Sequence, residues 1–137
     1  MSYDLMVFDP ARAPIKRPAF IEWYEAQTEW EEAHGYDDPA VASAGLQAFY
    51  ADLAAEFPPL SAASAEAPDA PQAGTEYMIG HGLIYMGFHD WDTIDRAHEA
   101  VSRLAARHAV GFFDVSSDLA EVWLPDSKGG LRIVHSD

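Results

Sequence analysis

The order in which two kinds of apolar pattern follow one another is the strongest constraint on how this chain folds. Runs with the two-residue period of β-strands occupy residues 2–9, 76–88, 110–115, 121–124 and 131–134. Patterns with the 3.6-residue period of α-helices lie between these runs. Because a strand and an amphipathic helix each need a partner for their apolar side, this order predicts helices packed against a sheet.

The first helical pattern is built largely from aromatic residues. A helix is predicted from about Pro18, which suits a first turn, to about His34, where Gly35 suits a C-terminal cap. The side expected to face the core carries Phe20, Trp23, Tyr24, Gln27 and Trp30.

A second helix is predicted between an acidic N-terminal cap, Asp37 or Asp38, and the pair Pro58-Pro59. Pro39 falls in its first turn, where proline is tolerated. Its expected buried side consists of Val41, Leu46, Phe49, Tyr50, Leu53 and Phe57. Residues 61–74 show no periodic apolar pattern and are rich in Ala, Ser and Pro, so we expect a mobile surface loop there.

The second half of the chain is predicted to contain two hairpins, with one helix between them in the sequence. Gly80-His81-Gly82 interrupts the strand pattern of residues 76–88 and predicts either a tight hairpin turn or a bulged bend. A third helix is predicted after the capping pair Asp92 and Asp95, and its apolar face extends to His108. Residues 125–130 separate the last two strand patterns, which predicts a C-terminal hairpin.

Together these elements predict a single α+β domain over residues 1–137, with helices packed on one face of a mainly antiparallel sheet. The specific expectation is a ferredoxin-like arrangement with an extra helix and a C-terminal hairpin. A length of 137 residues suits one domain. Too little chain lies on either side of residues 61–74 for two independent cores.

Composition limits where and on what the protein acts. The absence of cysteine removes disulfides, thiolate nucleophiles and thiolate metal sites. The N-terminus has neither the basic start nor the apolar run of a signal peptide, and no stretch approaches the roughly 18 apolar residues of a membrane span. We therefore expect a cytoplasmic protein. With 23 acidic against 8 basic residues, the net charge of −15 repels nucleic acid and anionic lipid and favours a cationic partner.

Negative charge is concentrated on the first predicted helix and the segment after it. No Lys or Arg lies between Arg17 and Arg96, so the carboxylates lack the basic neighbours that relieve repulsion on most helices. Positions 22, 25, 29 and 32 share one helical face. The predicted partner-binding residues are Glu22, Glu25, Glu29, Glu32, Asp37 and Asp38. A merely solvated acidic face is the alternative explanation.

Sequence motifs for catalysis and for metal binding are absent. The six histidines show neither H-x-H nor H-E-x-x-H spacing, and no serine lies in a G-x-S-x-G elbow. We therefore expect no catalytic residue, no metal site and no cofactor. An open alternative is a small enzyme or ligand-binding domain whose pocket uses His81 or His89 with Asp90 or Asp114.

Three parts of the chain together resemble a group of small uncharacterised bacterial proteins. They are Met1-Ser2-Tyr3-Asp4-Leu5-Met6-Val7-Phe8, then Tyr77-Met78-Ile79-Gly80 with Leu83-Ile84-Tyr85, and Gly111-Phe112-Phe113-Asp114. Some proteins of this group look like immunity proteins that neutralise antibacterial toxins. The resemblance implies a binding role and brings no catalytic residues with it.

These observations predict a non-enzymatic acidic binding protein whose acidic face masks the basic active-site cleft of a toxin such as a nuclease. The expected partner is a basic protein, and neither nucleic acid nor a membrane. A nucleic-acid mimic, whose carboxylates imitate the spacing of phosphates, is a further alternative.

Overall fold

A six-stranded antiparallel sheet and three α-helices make up the described part of the chain. The computed structural model describes residues 3–14, 16–28, 39–57, 75–88, 94–117, 120–126 and 128–135. The strands are β1 (Tyr3–Phe8), β2 (Glu76–Ile79), β3 (Leu83–Phe88), β4 (Gly111–Phe113), β5 (Val122–Pro125) and β6 (Leu131–His135). The helices are α1 (Arg17–Gln27), α2 (Ala44–Glu56) and α3 (Ile94–Arg107), and a 3₁₀ turn covers Pro39–Val41.

The strands follow the order β2-β3-β1-β4-β5-β6, and every neighbouring pair is antiparallel. With α2 and α3 as crossovers, the first four strands have the βαββαβ connectivity of a ferredoxin-like fold. The hairpin of β5 and β6 extends the sheet beyond β4. The α+β class and the mainly antiparallel sheet are therefore confirmed, and so is the C-terminal hairpin.

Helices cover both faces of the sheet, which corrects the expectation that they pack on one face. On the α2–α3 face, these two helices cover Leu5 and Val7 of β1. On the opposite side, which we call the α1 face, α1 covers Met6 and Phe8. All four of these β1 residues are buried, so a sheet with this central strand needs a cover on each face.

Aromatic side chains hold α1 against the sheet. Phe20 is 1% exposed, and its ring centroid lies 5.1 Å from that of Phe8 and 5.4 Å from that of Phe113. Tyr24 also packs edge-on against Phe113, with 4.9 Å between centroids. The helix has no side-chain hydrogen bond at its N-terminal cap and no acidic residue in its first turn. Ring packing, and not capping, therefore fixes this helix in place.

The helix boundaries differ from the predicted ones. α1 ends at Gln27, before the predicted His34, and residues 29–38 lie outside the described residues. Pro39–Val41 forms a separate 3₁₀ turn, and α2 begins only at Ala44. α2 does not begin earlier because Ser43 takes an extended conformation, with φ −64° and ψ 162°, which is typical of the residue before a helix.

Other predictions can be followed along the rest of the chain. Gly80 N donates a hydrogen bond to the Leu83 carbonyl at 2.9 Å, so β2 and β3 are joined by a tight hairpin and not by a bulged bend. α3 begins at Ile94 with Asp95 in its first turn. Asp92 and the predicted loop at 61–74 lie outside the described residues. No helix in the described ranges combines the length and the apolar character needed to cross a membrane.

Candidate functional site

The predicted partner-binding carboxylates fall only partly within the described residues. Glu22 and Glu25 lie on the exposed side of α1. Across the described ranges, no Lys, Arg or His comes within ion-pair distance of either carboxylate. The exposed side of α1 therefore carries uncompensated negative charge. The remaining predicted carboxylates lie outside the described residues: Glu29, Glu32, Asp37 and Asp38.

Arg17, the base closest in sequence to these carboxylates, ties the start of α1 to another part of the fold. Its guanidinium Nη1 donates a hydrogen bond to the Ala120 carbonyl at 3.0 Å. Ala120 lies in the loop between β4 and β5. The N-terminus of α1 is thereby anchored across the sheet, while Glu22 and Glu25 remain exposed along the helix.

A cavity of about 410 Å³ opens beside α1 on the α1 face of the sheet. Asp4, Gly87 and Glu76 are direct neighbours across β1, β3 and β2. Residues that pair across adjacent strands share one face, so both carboxylates point toward the cavity. The complete lining consists of Asp4, Tyr24, Thr28, Glu76, Met78, Tyr85 and Gly87.

Gly87, at the centre of this row, leaves space between the two carboxylates. The position that a Cβ would take at residue 87 lies 3.5 Å from Asp4 Oδ1 and 3.5 Å from Glu76 Oε2. The two oxygens are therefore separated by no more than twice that distance. Any side chain longer than that of alanine would enter the volume that both carboxylates border.

Two tyrosine hydroxyls also line the cavity. Tyr85 Oη donates a hydrogen bond to Asp4 Oδ2 at 2.6 Å, and the hydroxyls of Tyr24 and Tyr85 are hydrogen-bonded to each other. Burial and the hydrogen bond to Asp4 raise the pKa of Tyr85 far above its usual value. Burial also raises the pKa of Tyr24. Both hydroxyls therefore stay neutral at physiological pH, and the negative charge of the cavity comes from its carboxylates.

A guanidinium or ammonium group matches the chemistry of this cavity. The carboxylates of Asp4 and Glu76 supply opposite charge and hydrogen-bond acceptors. The rings of Tyr24 and Tyr85 supply aromatic surface, to which cations are attracted. Within the described ranges, no three His, Cys, Asp or Glu side chains come together as a metal-binding group.

His81 and Asp114, one of the pairs named in the enzyme hypothesis, do not lie in a common pocket. His81 Nδ1 lies 2.9 Å from the Val41 carbonyl oxygen, beside the turn that follows β2. Asp114 lies at the opposite end of β1, where the Tyr3 hydroxyl donates a hydrogen bond to its Oδ1 at 3.0 Å. The other two residues of that hypothesis, His89 and Asp90, lie outside the described residues.

The histidine that contacts Asp114 is His98 of α3. Its Nε2 lies 2.9 Å from Asp114 Oδ2, and Asp114 is 5% exposed. The hydrogen bond to Asp114 raises the pKa of His98 against the opposing effect of burial. With one oxygen bonded to Tyr3 and the other to His98, this carboxylate links β1, β4 and α3. The arrangement is that of a structural link between elements, because both carboxylate oxygens are already engaged.

Comparison with protein-family models, with curated proteins and with solved structures finds no match to this chain. A fold alone does not determine a function. The interpretation of function therefore rests on the chemistry of the α1 face.

Proposed function

We propose that this chain is a non-enzymatic binding protein of the immunity type, which neutralises a cationic antibacterial toxin. The most suitable toxin is a nuclease with a basic active-site cleft. The observation that carries the proposal is the uncompensated charge of Glu22 and Glu25 on the exposed side of α1. The Asp4–Glu76 cavity lies beside the same helix and adds to the negative potential of that surface.

Electrostatics explain why such a surface suits a basic partner. Opposite charge on two surfaces steers their encounter and disfavours wrong partners, and it affects the association rate more than the final affinity. The net charge of −15 extends this attraction beyond the contact surface. A nuclease cleft is positively charged because it binds phosphates, so it meets the same requirement.

The cavity gives the proposal a specific contact. An arginine or lysine side chain of the partner would place its charged end between Asp4 and Glu76, above Gly87. The rings of Tyr24 and Tyr85 would pack beside its aliphatic part. A side chain inserted into a pocket of this kind is typical of the anchor residues that dominate interface energies.

The experiment is affinity capture followed by association kinetics. The chain is immobilised, and proteins from the bacterium that encodes it are captured at low salt and released at high salt. Each purified captured protein is then tested for toxicity in cells, with and without co-expression of this chain. Association rates are measured for the wild type, for Glu22→Lys, for Glu25→Lys and for the double variant.

Asp95→Lys is the matched control. Asp95 is exposed on α3, on the other side of the sheet, and its reversal changes the net charge by the same amount as each single reversal on α1. We expect the double variant on α1 to slow association about tenfold, at the low end of steering effects. Asp95→Lys should slow association much less than either single variant on α1. An association rate for Asp95→Lys equal to those of the single variants on α1 would refute the proposed surface, and absence of toxicity in every captured protein would refute the immunity role.

A further inference from the structure

We propose that two copies of this chain associate through their β6 strands, which would join the two sheets into one. The inference rests on β6, on the far side of the sheet from the acidic cavity, and is independent of the proposed function. β6 (Leu131–His135) is the last strand of the order β2-β3-β1-β4-β5-β6, and it pairs with β5 on one side only. On its other side, no strand of the described ranges pairs with it.

The composition of β6 has few of the features that usually protect an edge strand. Exposed edges are commonly blocked by proline, by lysine or by inward-pointing charged residues, because their free backbone groups can pair with another strand. Residues 131–135 contain no proline and no acidic residue, and Arg132 is their one Lys or Arg. Ile133 is 47% exposed, and it is the one large apolar side chain of the described residues that is exposed to this degree.

Charge determines which edge of the sheet can meet a second copy. The other edge, β2, carries Glu76 of the acidic cavity, so pairing through β2 would bring two such cavities together. β6 lies five strand positions from β2, roughly 24 Å at about 4.8 Å per strand. This distance exceeds the Debye length of about 8 Å at physiological ionic strength. Pairing through β6 therefore keeps the acidic cavities apart, at opposite ends of a joined sheet.

The hairpin that carries β6 is also the one part of the described sheet in which basic residues outnumber acidic ones. Lys128 and Arg132 are both exposed. Asp126 in the same turn accepts hydrogen bonds from the backbone N–H groups of Lys128 and Gly130, at 2.8 Å and 2.9 Å. These bonds lower the pKa of Asp126, so it stays ionised, but Lys128 and Arg132 outnumber this single acidic residue of the hairpin. Two chains of net charge −15 repel each other over most of their surface, and this edge is where the repulsion is weakest.

The sequence of β6 is compatible with pairing to itself. In an antiparallel pair centred on Ile133, the two Ile133 side chains face each other, and Arg132 faces Val134 of the second copy. No like charges are directly opposed in this register, and aliphatic pairs stabilise a sheet. Ile133 pairs with Trp123 of β5, so the contact would continue an apolar row that already crosses the hairpin. Such an arrangement is a closed two-fold dimer in which both α1 faces stay free.

Sedimentation equilibrium over a range of protein concentrations tests the proposal. The wild type should show a dimer whose fraction rises with concentration. It should also rise with salt, because salt screens the repulsion between acidic chains. Ile133→Glu places two carboxylates opposite each other in the dimer, and it should raise the dissociation constant about tenfold or more. Ala48→Glu, at an exposed position of α2, adds the same charge and should leave the dimer unchanged.

Hydrogen exchange of the wild type provides a test that needs no variant. Backbone amides of β6 should exchange more slowly at high protein concentration, while those of β2 should not change. A wild type that stays monomeric at every concentration overturns the proposal. So does a dimer that Ile133→Glu leaves intact. Salt should weaken the binding of a cationic partner, whereas it should strengthen dimerisation. Failure of this proposal is therefore distinguishable from failure of the proposed function.

Discussion

Gly111 of β4 lies directly opposite Phe8 of β1, and the Phe8 ring occupies the space that a side chain at residue 111 would need. A Cβ added to Gly111 would approach three atoms of that ring, and even the most distant of them, Cε1, would be 2.7 Å away. Carbon atoms in contact are normally about 3.5–4.0 Å apart. In Gly111→Ala the ring must therefore move by roughly 1 Å or more.

The Phe8 ring has little room for such a movement. It is 1% exposed, and it packs edge-on against Phe20 at 5.1 Å and against Trp23 at 6.1 Å between centroids. Overpacking of a core commonly costs 1–3 kcal/mol, and a displacement of about 1 Å in this closely packed position belongs at the upper end of that range. Replacing a strand glycine by alanine returns about 0.5–1 kcal/mol through the unfolded chain. We expect Gly111→Ala to lower the free energy of unfolding by about 2 kcal/mol and the melting temperature by about 8 °C.

Urea denaturation followed by circular dichroism measures this effect, with Gly87→Ala as the matched control. A Cβ at Gly87 would approach no atom outside its chain neighbours closer than 3.5 Å, so this variant should stay within about 1 kcal/mol of the wild type. Phe8→Leu shortens the obstructing side chain, and the double variant should be more stable than the sum of the two single losses by about 1 kcal/mol. Strictly additive losses, or a Gly111→Ala protein as stable as Gly87→Ala, would show that the ring contact does not determine the need for glycine.

Two further predictions concern α3. The pKa of His98 is raised in the folded state by its hydrogen bond to Asp114, so the stabilisation from this pair is complete below the unfolded pKa of about 6.5. This stabilisation is lost as the pH rises through the higher folded pKa. The difference in unfolding free energy between the wild type and His98→Gln should therefore shrink from pH 6 to pH 9. A difference that stays constant would contradict a charged pair. Ala109, which follows α3, has φ 55°, so Ala109→Gly should raise the unfolding free energy by about 0.5 kcal/mol. The same replacement inside the helix, Ala106→Gly, should lower the unfolding free energy by about 1 kcal/mol. Urea denaturation measures both variants. If both replacements raised the unfolding free energy, or both lowered it, the positive φ of Ala109 would not be a source of strain.

From periodic patterns in the sequence, the buried side of a helix or strand is predicted more reliably than the element that covers that side. The alternation in residues 2–9 predicts β1, and the spacing of Phe20 and Tyr24 predicts that this side of α1 is buried. The sheet face that α1 covers is not encoded in either pattern, because β1 is apolar on both sides. Similarly, the proline at residue 39 suits the first turn of a 3₁₀ or an α-helix, and only the conformation of Ser43 separates the turn from α2.

The candidate site shows the same limit more strongly. The exposure of Glu22 and Glu25 on one side of α1 was predictable, because the spacing of charged residues along one helix is readable directly from the sequence. The cavity was not predicted, because Asp4 and Glu76 are neighbours only through the register of three strands. Two signals did exist: Asp4 lies inside an apolar strand, and Gly87 lies inside another. The contact between His98 and Asp114 likewise depends on how α3 crosses β4, which a periodic pattern does not specify.

Within the described residues, α1 is the one helix on its face of the sheet, so the surface proposed to bind a partner is separate from the framework of the fold. The βαββαβ framework is complete with α2 and α3, and the exposed carboxylates of α1 contact neither of these helices. Substitutions at such exposed positions change stability little. Under the proposed function, a lineage of such proteins would acquire a new partner by altering the outer residues of one helix, while the framework that carries it stays the same.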